Sequence, residues 1–382
     1  MLNRLPQLMA RLRQLNPMRV TTAAEHGPAD VAQTIERALA KAGLRPAAAN
    51  EPRVQPADDA SRTANHGGDA VIDGEFRIVE PAVETPAQGQ FMTRSYANEA
   101  GTRDYKLYVP ADLEARFGGP TALVVMLHGC TQSPDDFAAG TRMNEQAEQL
   151  GMLVVYPQQT GRANGSQCWN WFRPQDQQRD RGEPSLIAGI TREVAAQYEI
   201  GRGRIFVAGL SAGAAMAVIL GQTYPDLFAG VGAHSGLAYG VANDVASALG
   251  AMKGSATPVA GGTGSRAPSS KQPIPTIVFH GDSDRTVVPS NGAAIIDQLT
   301  REELGNGGLR TTTHTGATDH GRSYTRQVFH DAQRTPVVEY WVLHGGGHAW
   351  SGGSASGSYT DPHGPDASSE MVRFFRAQAD RR

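Results

Sequence analysis

Three residue types that together can carry out nucleophilic acyl chemistry occur in this chain in a workable order: Ser211, Asp284 and His348. Ser211 lies in Gly209-Leu210-Ser211-Ala212-Gly213, after the apolar run Ile205 to Ala208 and before a helix-forming stretch from Ala212 to Thr223. Gly-x-Ser-x-Gly between a strand and a helix is a nucleophile elbow, a sharp turn that lifts the serine oxygen out of a crowded backbone. The helix that follows offers unpaired N–H groups to developing negative charge. By itself the pentapeptide is a weak signal in a chain with 44 glycines, since an ordinary strand–turn–helix junction reads the same way. Its context carries more weight, because the other required parts also follow strand-like runs.

The first such run is Ala122 to Leu127, continuously apolar and so suited to a strand buried on both faces. It ends in His128-Gly129-Cys130-Thr131-Gln132, a layout like the oxyanion loop of α/β-hydrolases. The backbone N–H groups of Cys130 and Ala212 are the expected oxyanion donors. Thr276 to Phe279 leads into His280-Gly281-Asp282-Ser283-Asp284, where two aspartates compete for the role of acid. Asp284 is the better candidate, and Asp282 is expected to bind backbone amides of its own turn. Val337 to Leu343 leads into His344-Gly345-Gly346-Gly347-His348. His348 follows the flexible glycine run and is the expected base, whereas His344, His280 and His128 are read as structural. The chain order serine, acid, histidine is that of the α/β-hydrolases. In this arrangement the histidine takes the serine proton, the aspartate fixes its tautomer, and an acyl-enzyme forms that water then releases. The chemistry requires no cofactor or metal, and none is expected.

Positioning these groups requires a sheet whose strands end on one side. Met152 to Tyr156 is a further strand and Leu186 to Tyr198 a helix, and the alternation predicts a mostly parallel sheet with helices on both faces. Ligands bind such sheets beyond the carboxyl ends of the strands. Ser95 to Ala97 and Tyr105 to Val109 flank Asn98-Glu99-Ala100-Gly101 and predict an opening hairpin. Thr311 to His330 is expected to add antiparallel strands beside the last core strand. Gly254 to Gln272 is expected to be a surface loop. Residues 1–45 read as an N-terminal helical extension, 46–90 as a flexible linker, and 91–382 as the catalytic domain.

The chain has 382 residues, 40% of them hydrophobic, and a formal charge of −3. That is ample for a large core and argues against nucleic acid as a partner. No apolar stretch is long enough to span a bilayer. Residues 1–18 have leucines at helical spacing with arginines between them, a pattern suited to weak contact with a membrane or hydrophobic granule. They lack the apolar core of a secretion signal. The two cysteines, Cys130 and Cys168, fit either a disulfide in an oxidising compartment or two buried thiols.

Taken together, the landmarks resemble the polyhydroxybutyrate depolymerase family of esterases, related to feruloyl and acetylxylan esterases. They are Leu127-His128-Gly129-Cys130-Thr131-Gln132, Cys168-Trp169-Asn170-Trp171-Phe172, the elbow, His280-Gly281-Asp282-Ser283-Asp284, and Gly347-His348-Ala349-Trp350. The resemblance covers about residues 92 to 377 and implies an α/β-hydrolase fold and a serine esterase acting on poly- or oligo(3-hydroxybutyrate) or related short esters. It implies that Cys130 and Cys168 pair, and it favours an extracellular location, with cytoplasmic as the alternative. Trp169, Trp171, Phe172 and Trp350 are candidates to line an acyl or polymer groove, or else to pack in the core. A feruloyl or acetylxylan esterase is the rival enzyme, and a non-catalytic granule- or wall-binding protein the rival of another class.

Overall fold

The computed structural model describes residues 89–255, 274–305, 308–319 and 321–379. The expected extension at 1–45, nearly all of the linker at 46–90, and most of the stretch from Gly254 to Gln272 lie outside them.

Ten strands form one sheet. In chain order they are β1 (Gln90–Asn98), β2 (Gly101–Val109), β3 (Ala122–Leu127), β4 (Met152–Pro157), β5 (Ile205–Leu210), β6 (Gly230–His234), β7 (Thr276–Gly281), β8 (Arg310–Ala317), β9 (Ser323–His330) and β10 (Pro336–Leu343). Their spatial order is β1-β2-β4-β3-β5-β6-β7-β10-β9-β8. The block from β4 to β10 is parallel, and the two ends are antiparallel hairpins. The opening hairpin pairs Asn98 with Gly101, and the Asn98 side chain closes its turn by accepting from the Ala100 N–H at 2.8 Å. The expected antiparallel addition is also present, with β9 against β10 and β8 at the edge.

Every residue of β3, β4, β5, β6 and β7 is buried. The reason is that helices cover both faces, so both sets of alternating side chains find apolar partners. Leu123, Val125, Leu127, Val155 and Val207 face one core. Val124, Met126, Val154, Phe206 and Ala208 face the other. The helices are α1 (Leu113–Phe117), α2 (Pro134–Thr141), α3 (Met143–Leu150), α4 (Gly182–Gln197), α5 (Ala212–Thr223), α6 (Val245–Met252), α7 (Ser290–Gly305) and α8 (Ala367–Ala379). The first core packs on α4 and α5. The second packs on α3 and α8, where Phe375 stacks on Phe206 at 4.6 Å between ring centroids. Strands β3, β5, β7 and β10 all deliver their following loops to one side of the sheet, and those loops carry the candidate chemical groups.

Candidate active site

The elbow is built by packing at the end of β3. A Cβ on Gly213 would fall on the carbonyl oxygen of Leu127, and one on Gly209 would lie 2.7 Å from that same oxygen. Only glycine lets α5 start this close to β3. Ser211 pays for the sharp reversal with φ 57° and ψ −119°, a conformation costly for a side chain and common where function requires it. Its N–H donates to the His234 carbonyl at 2.9 Å. Its hydroxyl does not cap α5, so it is not committed to the backbone beneath it.

The loop after β3 is pinned at several points. Gln132 accepts from the Gly129 N–H at 2.9 Å and donates to Asp136 at 2.9 Å. Thr131 N–H donates to Ser166 O at 2.7 Å. The Cys130–Cys168 disulfide, with Cα atoms 4.2 Å apart, joins this loop to the segment before Trp169. The His128 ring is buried, with Nδ1 at 2.7 Å from Gly129 O and Nε2 accepting from the Gln159 N–H. Burial lowers its pKa to about 4, so the ring is a neutral strut. Among the described residues neither the Cys130 nor the Ala212 N–H has a protein acceptor. Ala212 opens α5, where N–H groups are unpaired by geometry.

In the turn after β7 the two aspartates meet different partners. Asp284 Oδ1 accepts from the N–H groups of Thr286 and Val287 at 2.8 and 2.9 Å, and Oδ2 lies 2.7 Å from His348 Nδ1. The pair is buried. Burial raises the Asp284 pKa, but His348, His280 and the Val287 amide outweigh it and the net shift is downward. The group therefore stays a carboxylate. Asp282 departs from expectation. It binds the neighbouring loop, accepting from the Gly345 N–H at 2.7 Å and meeting His344 Nδ1 at 3.0 Å, while the amides of its own turn go to Asp284. His344 reaches Thr325 Oγ1 at 2.9 Å. His280 donates from Nε2 to Val287 O at 2.8 Å and braces the acid turn.

One residue of this site escaped the sequence reading. His234, at the end of β6, takes the Ser211 N–H on its carbonyl and the Ser351 N–H on its Nε2. It thereby couples the elbow to the loop that carries His348. Burial, with His280 and His348 nearby, pulls its pKa down to about 3. Its position after a strand was a usable signal, but the strand Gly-Val-Gly-Ala-His lacks the apolar run of the others.

Ser211 and Ala212 line a narrow apolar cavity together with the disulfide, Trp171 and Phe172. The structure corrects the reading of the other two aromatics. Trp169 is wholly buried, its Nε1 donating to His128 O at 3.1 Å. Trp350 is also buried. It stacks on His234 and donates to Ser368 Oγ at 3.1 Å. Neither borders the cavity; both are packing residues with satisfied indole N–H groups.

The sheet order, the elbow and the loops at the strand ends define an α/β-hydrolase. A solved acetyl xylan esterase from Aspergillus awamori has the same fold, with a TM-score of 0.58 and 20% identity over 76% of this chain and 100% of that one. The chain belongs to the family described as Esterase PHB depolymerase, which matches residues 103–326. It is 34% identical to poly(3-hydroxyalkanoate) depolymerase C of Paucimonas lemoignei over 66% of this chain and 60% of that protein. It is 32% identical to feruloyl esterase B of Neurospora crassa over 42% of this chain and 52% of that protein. It is 32% identical to acetylxylan esterase A of Talaromyces purpureogenus over 37% and 36%. The chain thus spans less than two thirds of each of these relatives.

Proposed function

We propose that this chain is a serine esterase whose triad is Ser211, His348 and Asp284. The observation that carries the reading is the buried 2.7 Å contact between Asp284 Oδ2 and His348 Nδ1. A carboxylate there holds the proton on Nδ1 and leaves Nε2 as the acceptor. His348 Nε2 then takes the proton from Ser211 Oγ as that oxygen attacks the ester carbonyl carbon. The Cys130 and Ala212 N–H groups receive the carbonyl oxygen as it becomes an oxyanion, a role in which losing one donor typically costs about 2.7–4 kcal/mol. Collapse breaks the bond to the alcohol, which leaves with the proton from His348. Water, deprotonated by the same Nε2, attacks the acyl-enzyme and restores Ser211.

Poly- or oligo(3-hydroxybutyrate) and related short hydroxyalkanoate esters are the substrates this reading favours, supported by the 34% identity to a protein named as a poly(3-hydroxyalkanoate) depolymerase. A carbohydrate esterase releasing acetyl or feruloyl groups is the second reading, supported by the acetylxylan and feruloyl esterase relatives. The disulfide supports an oxidising, extracellular compartment. Rates of hydrolysis across hydroxybutyrate oligomers, acetylated xylan and methyl ferulate separate the readings. Labelling of Ser211 by a fluorophosphonate separates an enzyme from a binding protein that keeps the fold. If Ser211 stays unlabelled and no ester is cleaved, the proposal fails.

A further inference from the structure

The cavity beside Ser211 is also lined by Leu237, Val287 and one face of α6. That face consists of Val245, Ala248, Leu249 and Met252, at the i, i+3, i+4, i+7 spacing that puts side chains on one side of a helix. The cavity is narrow, with about 30 Å³ open to the centre of a water-sized sphere, about twice what one buried water needs. It has room for a short acyl chain, and its lining is mainly apolar.

Helix α6 is held firmly in place. Asp244 and Ser247 form a capping box at its start. At its end the Ala251 carbonyl accepts from Asn291 Nδ2 and the Met252 carbonyl from the Val288 N–H, both at 2.9 Å. Val288 and Asn291 follow the turn that carries Asp284. The cavity wall and the acid turn are thus one hydrogen-bonded unit, and widening the cavity by moving α6 would disturb the acid.

We propose that α6 sets the length of the acyl group this site accepts, with Leu249 and Met252 excluding longer aliphatic and aromatic acyl chains. The inference rests on the esterase reading above. The cavity suits the acyl side because it is narrow and walled by apolar side chains. The alcohol must leave for solvent before water enters, whereas the acyl group stays on Ser211 through both steps. A hydrophobic pocket discriminates by about tenfold or more per methylene it cannot accommodate.

The test uses the full chain with p-nitrophenyl acetate, butyrate and hexanoate. In the unaltered protein, kcat/KM should fall by at least about tenfold from acetate to hexanoate. Leu249→Ala and Met252→Ala should each raise the hexanoate-to-acetate ratio by about tenfold, and Ala248→Leu, which fills the cavity, should lower the butyrate-to-acetate ratio. Unchanged ratios in all three variants, with Ser211 still labelled by a fluorophosphonate, would overturn the role of α6 and leave the esterase reading standing. Absence of both label and hydrolysis in the unaltered protein would instead remove the esterase reading, and this inference with it.

Discussion

At the scale of single residues, Asp284 divides its work between two oxygens. Oδ1 is held by two backbone N–H groups and Oδ2 faces His348. Asn in its place could keep the first set but would present an NH₂ or a neutral oxygen to the imidazole, and so favour the wrong tautomer. Asp284→Asn should therefore lower kcat by about 10⁴-fold. Asp282 holds the Gly345 N–H and the half-exposed His344, so Asp282→Asn should cost far less, within about tenfold, because it loosens a loop without touching the imidazole tautomer. Steady-state kinetics of both variants decides the matter, and equal losses or the reverse order would refute the assignment. Ser211→Ala should abolish turnover beyond the residual 10³–10⁴-fold that, as a rough guide, oxyanion donors and binding supply alone. More than a few per cent of the original rate would exclude Ser211 as nucleophile.

At the scale of elements, the disulfide connects the end of β3 to the segment that supplies Trp171 and Phe172 to the cavity. It closes a loop with a sequence separation of 38. Loop-closure entropy then gives about 3–4 kcal/mol of stabilisation through the unfolded state. The same bond restrains the backbone of Cys130, whose N–H is a proposed oxyanion donor. Reduction should therefore lower both the melting temperature and kcat, with KM less affected. Thermal melts and kinetics with and without reductant test this. A fall in melting temperature at constant kcat would mean that Gln132 and Thr131 hold the loop without the bridge.

At the scale of the whole molecule, the buried histidines tie stability to pH. His128 and His234 have pKa values lowered by burial to about 4 and about 3, from 6.5. Below pH 6.5 the unfolded chain binds protons at both that the folded chain refuses. Their contribution is complete above pH 6.5 and is lost as pH falls through the folded values, roughly 1–2 kcal/mol per pH unit for each group. Asp176 acts the other way. Burial, then the neighbouring Glu183 carboxylate, raises its pKa from 3.8 to about 7, so the folded chain keeps a proton that the unfolded chain releases. Burial lowers the His280 pKa as well and raises that of Asp366, so as pH falls below 6.5 three histidines that refuse protons oppose two aspartates that retain them. Urea unfolding at pH 7 and pH 5 should accordingly show the lower stability at pH 5, and equal stability would contradict the neutral, buried state of these rings. The sheet's first strand starts at Gln90. A chain beginning at Gly89 should thus fold and hydrolyse soluble esters, and failure to obtain soluble protein would mean that residues 1–88 pack on the hydrolase domain.

Local pattern determined much of this protein. The apolar runs before His128, Ser211 and His280 were legible as strands because both their faces are covered, and the run before His344 was legible as a strand although Tyr340 and Val342 are only half-buried. The bounds of α5 could be read from Ala212 to Thr223 because a strained serine starts the helix and helix-forming residues continue it. The opening hairpin announced itself through Asn98-Glu99-Ala100-Gly101 between two strand-like runs. Strand β6 did not, because it is thinned by glycine. A Cβ on Gly232 would lie 2.6 Å from Met371 Sδ, a crowding that comes from α8, far away in sequence. Which aspartate meets His348, the burial of Trp169 and Trp350, and the face that α6 turns toward Ser211 were likewise decided by the tertiary structure. Each depends on which distant atoms arrive within a few ångströms, and residue periodicity describes only what a segment does along its own axis.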